Sequence, residues 1–317
     1  MVKELDVICI GAALVDMVAK IERHPIEDDE VFVSNLTLLS GGAAANTAYA
    51  CAKLGLNVAF IGKLGYNDEF GIKIIKDFKE VSLDTTLIKY SKEQGTGSAY
   101  VTINKDGERR IYAYSGAANL LSANDINSKD LLRTKTIYMS SLRNLEPFEK
   151  AAKIGKKNNI TVVLNPGMLI IEQGFDKIKE LFALVEILII SKREFQNLFH
   201  LKDNKVNEKI IERKVKNLFQ LGIKVIILTM GKKGALIINS EKSELIKPNK
   251  VEHIIDTTGA GDAFSAGFMY GFVRNCSFKF EDLKSNVIIG NMIAGKCIQE
   301  LGARRGIPTA GELTLSS

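Results

Sequence analysis

The run Asp256-Thr257-Thr258-Gly259-Ala260-Gly261-Asp262-Ala263-Phe264 sets a carboxylate directly after two closely spaced glycines. From Ala263 onward Phe264, Gly267, Phe268, Gly271 and Phe272 recur at helical spacing, so the glycines are expected at a helix N-terminus. Unpaired backbone N–H groups and the positive end of the helix dipole favour an anion there. Gly259 and Gly261 lack a Cβ, which permits positive φ and lets a phosphoryl group approach the main chain. Beside such an anion, Asp262 has a general base's position toward an incoming hydroxyl. The local sequence fits a helix-capping acid equally well. Other phosphate loops fit worse: G-x-x-x-x-G-K-[ST], H-R-D and D-F-G are absent, and Phe264 occupies the last glycine position of G-x-G-x-x-G.

A second small-residue segment, Gly41-Gly42-Ala43-Ala44-Ala45-Asn46-Thr47-Ala48, opens a helix slim enough to pack close to a sheet. Asn46 is a polar residue in the first turn of this apolar helix. A hydrogen bond to nearby backbone would account for it as well as a ligand would. Further on, Ser191-Lys192-Arg193-Glu194 matches the S-x-x-E capping box, which gives Glu194 a structural task whatever else it does.

These residues need an α/β scaffold. Short apolar runs at Val7–Ile10, Val58–Ile61, Ile137–Ser140, Ile160–Leu164, Ile187–Ile190, Val225–Thr229 and Ala235–Ile238 read as buried strands. Helical periods intervene at Asp68–Lys79, Pro147–Lys157, Phe175–Val185, Asn207–Leu221 and Lys284–Glu300, the alternation of parallel βαβ units. Two β-prone stretches stand apart: Val18–Ile21 with Val31–Leu39, and the hairpin Gly97–Asn104 with Arg109–Tyr114 around Lys105-Asp106-Gly107-Glu108. They are expected to join as one small sheet. In an open α/β sheet ligands bind at the carboxyl ends of the strands, so the turns after Ile10, Leu164, Ile190, Thr229 and Ile255 are expected along one edge.

The 317 residues, 46% hydrophobic and 25% charged, suffice for one large α/β unit or two smaller ones. A net charge of +6 is dispersed among mixed lysines and glutamates, without the basic block of a nucleic-acid binder. Cys9, Cys51, Cys276 and Cys297 are far apart in apolar contexts and read as buried thiols of a reducing compartment. No signal-peptide hydrophobic region or membrane-length apolar run is present, so the expected location is cytoplasmic.

Gly41-Gly42-x-x-x-Asn46 near one end with Asp256-Thr257-Thr258-Gly259-Ala260-Gly261-Asp262 near the other resembles the ribokinase, or PfkB, family of carbohydrate and nucleoside kinases, over essentially the whole chain. The resemblance implies a single three-layer α/β/α domain on a mainly parallel sheet, with a β lid drawn from about 15–40 and 94–116. It implies that Asp16, Gly41, Gly42 and Asn46 form the acceptor site, and that Ser191, Thr229, Gly231 and Gly234 lie along ATP. The N–H groups of Gly259, Ala260 and Gly261 would receive the γ-phosphate, and Asp262 would take the proton from the attacking CH₂OH. Mg²⁺ would be organised through water by Glu194, in an N-x-x-E motif altered here to Ser191-x-x-Glu194. Many members also bind K⁺, for which Asp256 and Thr258 are the candidates; Gly306 stands where ribokinases commonly offer a hydroxyl.

The resemblance favours a small sugar as acceptor, with a nucleoside as the alternative. Leu14 and Arg143 depart from the usual ribose pattern, and Tyr112 and Tyr114 alternate onto one face where they would either stack on a base or stabilise the sheet. A catalytically idle sugar-binding relative is the third reading, opposed by the intact Asp262. Lids of two subunits commonly pack together in the family, so a homodimer is expected, with Val31, Val33, Leu36 and Tyr112 as interface candidates.

Overall fold

The computed structural model describes residues 4–202 and 208–314. The chain begins with β1 (Leu5–Gly11), β2 (Leu14–Ile21), β3 (Val33–Gly41), α1 (Ala43–Lys53), β4 (Val58–Ile61), β5 (Lys63–Gly65), α2 (Glu69–Glu80) and β6 (Lys89–Ser91). The hairpin β7 (Gly97–Ile103) and β8 (Arg109–Tyr114) follows, then α3 (Ser128–Leu131), β9 (Thr134–Ser140), α4 (Glu146–Lys157) and β10 (Thr161–Asn165). Next come α5 (Gly167–Ile171), α6 (Phe175–Phe182), β11 (Ile187–Ser191), α7 (Lys192–Leu198), α8 (Glu208–Gln220), β12 (Val225–Thr229), β13 (Ala235–Ile238) and β14 (Ser243–Ile246). The last elements are α9 (Ala260–Phe272), α10 (Phe280–Cys297) and α11 (Ala310–Thr314). Asn207, the expected first residue of α8, lies outside the described residues.

Eight strands form the main sheet in the order β14-β13-β12-β11-β10-β9-β1-β4, parallel from β4 to β12 and antiparallel at β13 and β14. Alternate residues of each strand supply two separate cores. Val7 and Cys9 pack with α1, α9 and α10 on one face, Ile8 and Ile10 with α4, α6 and α8 on the other. Because both faces are covered, the strands are continuous apolar runs, which is why they are readable in the sequence. The helix α9 is almost wholly buried between sheet and α10, and a Cβ at Gly267 would stand 2.9 Å from the Cα of Gly290. These glycines set how near the two helices approach.

Four further strands make a second sheet, β3-β2-β7-β8, outside the main one. Register rows such as Leu38–Met17–Tyr100–Tyr112 cross it, and the neighbouring row, Leu39–Asp16–Ala99–Ala113, points to the opposite face. Asp16 and the tyrosines Tyr112 and Tyr114 are therefore on different faces of this sheet.

Three features of the strands depart from the sequence reading. No strand ends at Ile255; residues 247 to 259 connect β14 to α9 without regular structure, and the N–H groups of Ile255 and Asp256 donate to the Ile298 carbonyl after α10 and not to a strand. β6, Lys89–Ser91, pairs with β5 as a two-stranded ribbon separate from the main sheet. β14 was not expected: Ser243-Glu244-Leu245-Ile246 is an edge strand with one solvated side, and it lacks the apolar run that marks the central strands.

Candidate active site

Parallel pairing lines up Gly11, Ser140 and Asn165 at the carboxyl end of the sheet, and Ser191 opposite Thr229 on the next two strands. The first turn of α9 and the start of α1 face this edge. Gly259 is the N-cap of α9 at φ 77°, and a Cβ there would collide with Ala303 of the C-terminal loop, so the position admits glycine alone. Gly261, by contrast, opens on space: a Cβ there would find nothing within 4 Å. Among the described residues the N–H groups of Gly259, Gly261 and Asp262 have no backbone acceptor, while that of Ala260 is directed at the Thr257 carbonyl at 3.3 Å. An anion at this turn would thus meet Asp262 N–H where the sequence had suggested Ala260.

The carboxylate of Asp262 is enclosed even though the residue as a whole keeps some exposed surface. Asn46 Nδ2 donates to Asp262 Oδ2 at 3.0 Å, joining α1 to α9 across more than 200 residues of chain. Burial pushes the Asp262 carboxyl up to about 7; the Asn46 hydrogen bond and the charge of Arg304 act against that rise, and Glu194 adds to it. A carboxyl poised there can accept a proton at neutral pH. Asp262 is not the side-chain cap of α9, whose N-cap has no side-chain hydrogen bond. Asn46 likewise spends its carboxamide on Asp262 and Arg304 and not on local backbone.

Asp16 stands in β2 beside Gly41, where its carboxylate fills the space a Cβ would take. Burial raises its pKa, opposed by Arg109 and Arg304. Gly42 turns the chain from β3 into α1 at φ 95°. Thus Asp16, Gly41, Gly42, Asn46 and Asp262 are brought together, as the sequence implied.

On the other side, Thr229 leads into a tight turn in which Gly231 has φ 55° and Gly234 N–H donates to the Gly231 carbonyl at 2.9 Å. Ser191 and Glu194 close a reciprocal capping box on α7: Glu194 N–H donates to Ser191 Oγ at 3.2 Å and Ser191 N–H to Glu194 Oε2 at 2.8 Å. The same Glu194 is near enough to act on Asp262 electrostatically, so the cap also faces the site.

Asp256 ties two loops, accepting from Thr258 N–H and Gly302 N–H at 2.9 Å each. The carbonyls of Thr258 and Ala303 converge on Cys297 Sγ at 3.8 and 3.6 Å, and among the described residues this weak S–H donor is the one that meets them. Such under-used oxygens suit a monovalent cation. Among the described residues no three His, Cys, Asp or Glu side chains converge as a metal cage.

Tyr112 and Tyr114 do not reach the acceptor site; they face away from Asp16, and Tyr114 Oη is bonded to Gln94. Arg304 is the site residue that sequence reading missed. It is held between Tyr49 and Phe78, with Nε donating to Asn46 Oδ1 at 3.0 Å and Nη1 3.7 Å from Asp77 Oδ2. Two adjacent arginines in a glycine-rich loop of a lysine-rich chain carry no signal that one of them is buried.

Comparison with known proteins gives the same picture. A ribokinase from Staphylococcus aureus is 30% identical over 310 residues, spanning 97% of this chain and 98% of its own. A nucleoside kinase from Methanocaldococcus jannaschii is 26% identical over 301 residues, spanning 95% and 93%. The solved structure of Arabidopsis thaliana ribokinase complexed with ribose and ATP superposes with TM-score 0.86 over 99% of this chain and 98% of that one, at 24% identity. The family described as pfkB family carbohydrate kinase matches residues 4–310. This chain belongs to the pfkB family of carbohydrate kinases, phosphotransferases that act on alcohol groups.

Proposed function

We propose that this chain transfers the γ-phosphoryl group of ATP to a primary hydroxyl of a small sugar. The observation that carries the reading is the Asp262 carboxyl, held near neutral pKa beside the unpaired N–H groups that open α9. Asp262 takes the proton of the acceptor CH₂OH as the hydroxyl oxygen bonds to the γ-phosphorus. The bond from that phosphorus to the β–γ bridging oxygen breaks, and ADP leaves. The N–H groups of Gly259, Gly261 and Asp262 offset the charge on the transferring oxygens, which is most of what a protein can contribute to such a loose transition state. Asp16 and Asn46, with Gly41 and Gly42 clearing room, hold the acceptor's hydroxyls. Ser191, Thr229, Gly231 and Gly234 line the nucleotide.

Mg²⁺, when bound, neutralises the phosphates. A single carboxylate, Glu194, suits an ion that keeps much of its water. A K⁺ ion between the Asp256 and Ala303 loops would rest on Asp256 and the carbonyls of Thr258 and Ala303. The second sheet acts as a lid over the acceptor, and its apolar outer face pairs two chains. Cys9, Cys51, Cys276 and Cys297 form no disulfide, which suits the cytoplasm.

A sugar is favoured over a nucleoside because the lid's tyrosines face away from Asp16, leaving no ring from that strand to stack on a base. The test is ADP release with ribose, fructose, 2-keto-3-deoxygluconate, adenosine, inosine and cytidine as acceptors. Turnover with a sugar at least tenfold above any nucleoside is expected, taking about 1.4 kcal/mol of discrimination as the threshold. The reverse order makes the chain a nucleoside kinase, and turnover with none of the six rejects the proposal.

A further inference from the structure

Arg304 comes from the loop after α10 and is almost entirely removed from water. Its guanidinium carbon lies 4.9 and 5.6 Å from the ring centres of Tyr49 and Phe78. Among the described residues neither terminal nitrogen, both buried, has a hydrogen-bond partner, though Nη1 is within ion-pair range of Asp77. An arginine serving stability alone is expected to satisfy its fork, because an unmet buried donor is costly. This one leaves two nitrogens unmet and directs its Nε at the Asn46 carboxamide.

That contact has a consequence for Asp262. An arginine N–H only donates and an ionised carboxylate only accepts, so the amide between them has a single workable orientation, Oδ1 toward Arg304 and Nδ2 toward Asp262. Reversed, the amide would set an oxygen against the carboxylate, which would then have to be protonated and so lost as a base. We propose that Arg304 is a positioning residue for phosphoryl transfer: it locks Asn46 as a donor to Asp262 and so keeps that carboxylate ionised and aimed at the acceptor hydroxyl. The proposal rests on Asp262 being the base. Asp77, 3.7 Å from Nη1 of Arg304, also accepts from Ser40 Oγ at 2.5 Å, so the chain of contacts runs from β3 to the base.

The groups facing this pair are known. Arg304 meets Asp77 from α2, Tyr49 from α1, Asp262 from α9 and Asp16 from β2. Asp262 meets Glu194 from α7, Tyr138 from β9 and Cys297 from α10 as well. Burial lowers the Arg304 pKa to about 10, which leaves it charged at neutral pH, where its charge opposes the rise at Asp262.

Three substitutions separate packing from positioning. R304M fills the slot between the rings without charge or donor, R304Q keeps a donor, and R304K keeps the charge. The pH dependence of kcat/KM is measured with ATP and the panel acceptor that turns over fastest, alongside nucleotide Kd and thermal melts. R304M is expected to lose about tenfold or more in kcat. Its acid limb should move up by about one pH unit, with nucleotide Kd unchanged. R304Q should shift the same way, and R304K should stay nearest the parent. An infrared titration of the carboxyl, with the Asp262→Asn spectrum subtracted, reads the same shift without an acceptor. A folded R304M or R304Q whose acid limb superposes on that of the parent overturns the proposal, and R304Q decides where R304M does not fold. If Asp262→Asn itself keeps both activity and the acid limb, it is the base assignment that fails, a result distinct from the first.

Discussion

In the proposed reaction Asp262 is the base, and two measurements follow from its surroundings. Asp262→Asn keeps the shape of the first turn of α9 and its place against Asn46, but has no lone pair basic enough to take a proton. We expect kcat to fall by about 10² to 10⁴ while nucleotide Kd stays within about twofold. A variant retaining more than about a tenth of kcat shows that the carboxylate is not the base. The second measurement is the pH profile. Because burial raises this carboxyl to about 7, the base is protonated and idle below that pH and active above it. The kcat/KM profile of the free enzyme should therefore rise tenfold per unit up to about pH 7 and then level. A profile flat from pH 5 to 8 would contradict it. Asp262 was legible because glycines, carboxylate and apolar helix are contiguous. Arg304 was not, since its burial is created by Tyr49, Phe78 and Asp77, all more than 200 positions away.

At the level of elements, the capping box of α7 shows one side chain serving structure and site together. Ser191 and Glu194 satisfy each other's backbone N–H groups at the end of β11, and the glutamate's charge still reaches Asp262. Glu194→Gln separates the two roles, for glutamine also closes a capping box. Stability should change by less than about 0.5 kcal/mol. The Mg²⁺ concentration giving half-maximal rate should rise several-fold if the carboxylate organises metal-bound water, and an unchanged Mg²⁺ dependence would leave Glu194 a cap and nothing more. Strands buried on both faces, such as Val58–Ile61 and Val225–Thr229, were read to the residue, because such burial demands an unbroken apolar run. Solvated or very short strands were not. β14 shows one side to solvent, and β5 and β6 are three residues each, too short for any period to register.

For the whole molecule the question is what covers the second sheet. Alternation along its strands sends Asp16 to one face and Leu36, Leu38 and Tyr112 to the other, where they are 54%, 44% and 64% exposed. Val33 and Tyr114 continue that patch at 39% and 50%. A sheet with one face over an acceptor and the other apolar and bare is poorly suited to water, and a second copy of the same face would bury it by two-fold symmetry. We expect a homodimer built on these residues. In the proposed reaction this sheet closes over the acceptor and excludes water that would compete with its hydroxyl for the phosphoryl group, so pairing and acceptor binding should be coupled. Leu38→Glu sets a charge at the β3 end of the row Leu38–Met17–Tyr100–Tyr112, on the face away from Asp16. Light scattering at micromolar concentration should give twice the chain mass for the parent protein and a lower mass for the variant. The variant's KM for acceptor should rise while its nucleotide Kd holds, because Ser191 and Thr229, proposed to line the nucleotide, lie on the main sheet and not on the second one. A parent protein that is monomeric and fully active would show that the sheet closes without a partner.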